Sequence, residues 1–279
     1  VTDRGDASAL RWLIGNELRL ARERAGRKQG EAAALLGCSQ AKINYLETGR
    51  NKQQPDEVSK LLHFYEAGAA KADRLAAIAG HPDQGTWWAD FEDVVPDWFA
   101  TFVGLEGLAS REFVYETMTI PGLLQTREYA TALLNGHLRV PVIDIEQVVN
   151  LRIARQQSLY GSSPLHFEVV VEESVLDRVV GGHEVMQAQL RHIVSLCERD
   201  NITLRVMPLS VPVHDGIEGE FMVLDFEQAQ SIGYIEYPSG AIYIQNQEQV
   251  AGYTKAAQRL NEAALTPEQS LRAVAARLS

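Results

Sequence analysis

The chain has 279 residues, a formal net charge of −11 and a sequence pI near 5.2, a length that suits two domains. Its hydrophobic fraction of 46% is ordinary for a chain that buries a proper core, and no run of about 18 apolar residues marks a membrane span. The acidic total would exclude nucleic acid only if the charge were even, and it is not: residues 1–80 carry a net of +3 and the remainder −14.

The opening "VTDRGDASAL" lacks the basic-apolar-small order of a secretory signal. Val1 reads as a translated alternative start codon, which suggests a bacterial gene. Cys38 and Cys197 are far apart and read as reduced packing residues, so a cytoplasmic protein is expected.

Five helices are predicted in residues 1–80. Leu10, Leu13, Ile14 and Leu18 form an apolar stripe at helical spacing, stopped by Gly26. "KQGEAAALLG" is a short helix with Ala32, Ala33, Leu35 and Leu36 inward, stopped by Gly37. Ser39 suits the N-cap of the next helix, whose inner face is Ile43 and Leu46 and whose end is Gly49. Pro55 opens a fourth helix with Val58, Leu61, Leu62 and Tyr65 inward, and a fifth runs from about Ala69 to Ala79.

A short helix, a glycine turn and a capped second helix are the parts of a helix-turn-helix, whose second helix enters the major groove. Gln40, Ala41, Lys42, Asn44 and Tyr45 are left on or near the outer face. Gln and Asn can pair bidentately with adenine, and Lys can donate to guanine or phosphate. Gln29 at the preceding helix start, the cap Ser39, and Arg50 with Lys52 beyond the helix suit phosphates. A plain helical core with a solvated polar face has the same spacing.

The stretch "LRLARERAGRKQGEAAALLGCSQAKINYLETGRNKQQP" resembles the XRE family, of lambda/434 repressor and Cro type. Gln29, Glu31, Ala32, Gly37, Ser39, Ile43, Leu46, Glu47, Gly49, Arg50 and Pro55 match its pattern in order. The resemblance implies phosphate contacts from Gln29 and Arg50, and base contacts from Gln40, Ala41, Lys42 and Asn44. Arg27-Lys28 replace the family's Leu-Thr before helix 2, so its usual cap is missing and two cations stand there.

"GHPDQGTWWADFEDVVPDWF", residues 80–99, is the expected boundary, with domains at 1–80 and 81–279. Its tryptophans are too costly to leave in water, so a docked linker is expected. An aromatic pocket from Trp87, Trp88, Trp98, Phe99 and Tyr115 could hold an effector, though packing of the joint is the plainer reading.

Beyond it, helices are predicted near 99–116, 125–135, 145–160 and 184–200, the third started by a capping box of Asp144 with Gln147. Strands are predicted at "LHFEVVVEE", "ITLRVMPL", "GEFMVLDFE", "SIGYIEYP" and "AIYIQN", the last three as an antiparallel meander. A long helix covers "NQEQVAGYTKAAQRLNEAAL", and Thr266 with Gln269 caps a terminal one. The expected fold is α+β: an all-α head of five helices, then a mostly antiparallel sheet flanked by helices.

There is no P-loop, G-x-S-x-G or H-E-x-x-H, which speaks against an enzyme fused to the head. The histidines at 63, 81, 137, 166, 183, 192 and 214 have no zinc spacing with cysteine, and no metal or cofactor is expected. "PVHDGIEGEF" reads as a long turn, and "PGLLQT" as a structural corner in which Leu123 and Leu124 pack and Thr126 caps a helix.

The segments "WWADFEDVVPDWFATFVGLEGLA", "YETMTIPGLLQTREYATALL", "RIARQQSLY", "EESVL", "LRVMPL" and "LTPEQS" resemble the C-terminal domain of actinobacterial XRE regulators. Members are described as antitoxin-like and are often encoded beside a small protein, the suggested partner. The expectation is a homodimer on a palindromic double-stranded operator, controlled through residues 81–279 by a protein. The alternative is a one-component regulator sensing a small apolar ligand there.

Overall fold

A computed structural model of the chain describes residues 6–80, 86–136 and 144–278, the side chain of Asp97 excepted. His81, His137 and the opening of the linker at 81–85 lie outside the described residues. The chain divides into two compact units. One is drawn from Val1–Ala89, Ala100–Leu108 and Phe226–Gln230, the other from Asp90–Phe99, Ala109–Asp225 and Ser231–Ser279. A cut at residue 80 therefore does not reproduce the units: the first takes in later segments.

In the first unit, α1 (Ala7–Arg24), α2 (Gln29–Leu36), α3 (Gln40–Glu47), α4 (Pro55–Phe64) and α5 (Ala69–Ala79) enclose a core of Ile14, Leu18, Ala32, Ile43, Leu46, Val58, Leu61, Leu62 and Leu75. Asp6 caps α1, its Oδ1 accepting from the backbone of Ser8 and Ala9 at 2.9 Å each. The Trp88 indole donates to its Oδ2 at 2.6 Å, so part of the predicted linker is docked. Leu35, expected inward, is 45% exposed. The inner stripe of so short a helix is complete with Ala32, Ala33 and Leu36, and Leu35 falls outside it.

The second unit is built on a six-stranded sheet of β1 (Arg111–Glu116), β2 (His166–Glu172), β3 (Ile202–Met207), β4 (Phe221–Asp225), β5 (Ile232–Tyr237) and β6 (Gly240–Ile244), in the order β3-β2-β1-β4-β5-β6. The sheet is mixed: β1–β2 and β2–β3 run parallel, while β1–β4, β4–β5 and β5–β6 are antiparallel and include the expected meander. α6 (Asp97–Leu108), whose residues from Ala100 belong to the first unit, precedes β1; α7 (Arg127–Asn135) and α8 (Ile145–Arg155) occupy the crossover to β2; α9 (Glu173–Asp177) and α10 (His183–Leu196) occupy the crossover to β3. α11 (Gln247–Ala263) lays Ala257 and Leu260 against Phe113, Val170, Phe221 and Val223, and α12 (Pro267–Ala275) starts at the predicted Thr266 capping box.

Two local expectations are corrected. The helix read over 99–116 stops at Leu108, and Arg111–Glu116 is a strand in the middle of the sheet, with residues 112–115 all buried. A strand covered on both faces has a continuous apolar run, which periodicity cannot tell from a helix. Asp144 makes no capping bond, because its backbone is already helical (φ −98, ψ −8) and an N-cap needs an extended one.

The "PGLLQT" segment is a corner fixed by three glutamines. Gln125 donates to Ile120 O at 2.5 Å and accepts from Arg152 at 2.7 Å. Gln156 donates to Gly122 O and Gln125 O. Gln189, fully buried on α10, donates to Leu124 O and accepts from Thr126 N, both at 2.7 Å. All but the Arg152–Gln125 bond satisfy a backbone group in a stretch without ladder partners.

Candidate nucleic-acid interface

The geometry of α2 and α3 follows from local chemistry. Gly37, between them, sits in the left-handed region (φ 61), which glycine enters at little steric cost and which turns the chain sharply. Ser39 Oγ then accepts from Lys42 N at 3.2 Å, starting α3. At the start of α2, Lys28 has no side-chain acceptor, and only the reverse half of a capping box forms: the Glu31 carboxylate accepts from Lys28 N at 2.8 Å. That bond, with nearby Arg27, holds the Glu31 carboxyl below its ordinary range. Ile43 and Leu46 are buried, which turns Gln40, Ala41, Asn44 and Tyr45 outward.

Three polar groups, Arg22, Glu47 and Gln53, lock this pair onto α1. The buried Glu47 carboxylate takes Arg22 bidentately, Nε at 2.6 Å and Nη2 at 3.0 Å, and Gln29 Nε2 at 2.8 Å. The same pairing raises the Arg22 guanidinium above its ordinary value. Buried Gln53 donates to Arg11 O at 2.9 Å and Leu46 O at 2.7 Å, joining α1 to the end of α3. The helices meet so closely that a Cβ on Gly15 would lie 2.6 Å from Leu46 O. Glu47 belongs to the matched pattern, but only the crossing of α1 with α3 reveals its role.

The predicted site residues are largely gathered on one face. Gln40 Nε2 reaches Gln29 Oε1 at 3.4 Å, so a proposed base reader and a proposed phosphate ligand are neighbours. Ser39, Asn44, Arg50 and Lys52 are exposed, and Tyr45 is 40% exposed with the Arg50 guanidinium 5.9 Å from its ring centroid. Lys42 is half-buried and forms an ion pair with Glu57 of α4. Glu57 was not singled out in the sequence; only its charge hinted at this.

The five proposed effector aromatics are divided between the two units. Trp87 and Trp88 belong to the first unit, where Trp88 serves Asp6. In the second, Trp98 and Phe99 rings lie 5.6 Å apart, with Arg155 5.1 Å from the Phe99 centroid and Tyr243 OH donating to Trp98 O at 2.8 Å. Tyr115 is buried in the sheet core and donates to Glu172 at 2.5 Å, with the His214 ring 5.9 Å away. His214 thereby pins the "PVHDGIEGEF" loop.

The second unit also has a cleft of about 470 Å³ whose lining includes Met118, Glu218, Glu220, Phe221, Glu236 and Tyr253. Burial, reinforced by the neighbouring Glu116 carboxylate, pushes the Glu220 carboxyl up to about 8. Among the described residues no group of three or more His, Cys, Asp or Glu is placed to hold a metal, and no helix is long and apolar enough to cross a membrane.

Two protein families match the chain. Residues 13–75 match a helix-turn-helix domain, and residues 99–276 match a domain of unknown function, DUF5753. No curated protein and no solved structure matches it.

Proposed function

The chain belongs to the DUF5753 family and carries a helix-turn-helix DNA-binding domain, and we propose that it is an XRE-type, sequence-specific transcriptional regulator of the cytoplasm. Residues 1–80 carry the DNA-binding helices and 81–279 the effector and dimerisation functions. Gln40, Ala41, Lys42, Asn44 and Tyr45 read bases, while Gln29, Ser39, Arg50 and Lys52 hold phosphates. One observation carries this reading: α3 is clamped from within by Glu47 and Gln53 and turns a polar face outward beside exposed cations. A rigid inner face and a polar, cation-flanked outer face are what groove reading needs.

One such helix reads few base pairs, so two copies on a palindrome are proposed, with half-sites about 34 Å or a multiple apart. Selection of sites from a random duplex library by the full chain tests this. A palindrome should emerge. Gln40→Ala should cost about 1–3 kcal/mol on it and relax the preference, whereas Arg50→Ala should weaken all duplexes alike. Identical behaviour of the two variants would sink the groove assignment.

Control by a small, antitoxin-like protein partner is the proposed regulation. The cleft supports it over an apolar small molecule: its lining carries Asp215 and Glu218 beside the more buried Glu220, together with Glu236, and its Met118 is exposed. A basic, apolar-flanked protein segment complements that surface better than a neutral ligand does. Trp87, Trp88, Trp98 and Phe99 lie along the stretch where the chain passes between units, which suits them to change with the partner.

A further inference from the structure

We propose that Glu57 sets the specificity of the DNA-reading face by holding Lys42, so that only a duplex offering Lys42 a base acceptor displaces the pair. The inference rests on the DNA-binding reading above. Acidic residues are favoured in the first turn of a helix, where they meet the positive end of its dipole. Asp56 already fills that role on α4 from an exposed position. The Glu57 carboxylate instead reaches across to α3, where it is bonded to Lys42 Nζ. The partners are 40% and 21% exposed, so the pair borders solvent on the proposed DNA side. Hydrogen bonding to and the charge of Glu57 raise the Lys42 ammonium above its ordinary value, so the lysine stays charged.

The cations of this face are therefore unequal. Arg50 lies over Tyr45 and Lys52 is exposed, and both can meet phosphate directly. Lys42 must first leave a carboxylate. A duplex of the wrong sequence offers it only a phosphate, in a position where Glu57 repels the same phosphate. A matching site offers the O6 and N7 acceptors of guanine, which carry no full charge and pair with Lys42 at the base edge. A repulsive group of this kind raises discrimination by weakening the wrong complex more than the right one.

The test uses the full chain, the palindrome selected from a random library, and an unrelated duplex of equal length. In Glu57→Gln the affinity for the unrelated duplex should rise about two- to fivefold, the range expected for releasing a solvent-bordering ion pair. Its salt slope should steepen by roughly 0.9, one more phosphate contact. Affinity for the selected site should change less, so the specificity ratio falls. In a Lys42→Met background the Glu57→Gln effect should shrink to the repulsion between Glu57 and phosphate, and the added salt slope should be lost. A Glu57→Gln effect of the same size in that background would show Glu57 acting as a general negative charge, and would overturn the proposal. So would a Glu57→Gln chain with an unchanged specificity ratio. A wild-type chain without affinity for any duplex would sink the DNA-binding reading itself.

Discussion

The face of α3 and the glutamine corner of the second unit are both rich in amides, and they use them in opposite ways. On α3, Gln40 and Asn44 point outward. At the corner, Gln125, Gln156 and Gln189 point inward and close backbone hydrogen bonds of the segment they surround. The same side chain is a proposed reader in one place and a staple in the other. What separates them is burial: a buried amide must be satisfied by the fold, while an exposed one remains available to a partner. The "PGLLQT" corner of the second unit accordingly spends its amides on architecture.

The contrast breaks most sharply at Glu47, a polar group of the helix-turn-helix that is used internally. Glu47→Ala leaves Arg22 without its bidentate partner and Gln29 without its acceptor, and should lower stability by about 3 kcal/mol, measured by thermal or denaturant unfolding. A loss below about 1 kcal/mol would mean that apolar packing alone fixes α3 on α1. Next comes Gln189→Ala, which strips Leu124 O and Thr126 N of their partner and should cost about 2 kcal/mol. Gln40→Ala should leave the melting temperature unchanged. A Gln189 variant as stable as the wild type would erase the distinction between the two amide sets.

The pH-dependent effect concerns a half-buried acid of the cleft. The Glu220 carboxyl is pushed up to about 8 in the folded protein, against an ordinary 4.5. Between these values the unfolded chain releases the proton while the folded chain keeps it, so this group's contribution falls as pH rises through the interval. Glu220→Gln should therefore melt like the wild type at pH 4 and higher than it at pH 8.5. Equal melting temperatures at pH 8.5 would place Glu220 in ordinary solvent.

Legibility in the sequence follows the range of the interactions. The five helices of the head could be read because their signals are local: Gly37, the Ser39 cap and Pro55 each act within a turn. Strand β1 could not, because its identity depends on β2 and β4, with Arg111 paired to His166 on one side and Asp225 on the other. The outer face of α3 was legible once Ile43 and Leu46 were taken as inner. The ion pair of Lys42 with Glu57 was not, since it exists only through the crossing of α3 with α4. The corner was recognised as a turn, but Gln189, 63 residues from Thr126, gave no sign of serving it.

The makeup of the first unit has a consequence for modularity. Glu17 on α1 is 1% exposed and binds Lys71 of α5 at 2.5 Å together with the backbone N–H of Gln230 at 2.7 Å. Asp6 is held by Trp88, and α6 reaches α1 where Gly104 meets Ala9 and Asp6. A chimera that transplants residues 1–80 alone would carry a carboxylate at position 17 with one partner missing and a helix start stripped of its indole. Exchange of DNA specificity between relatives would proceed more safely by replacing the outward residues of α3 in place than by swapping the head. In recombination, the natural joint of this protein is not a single point on the chain.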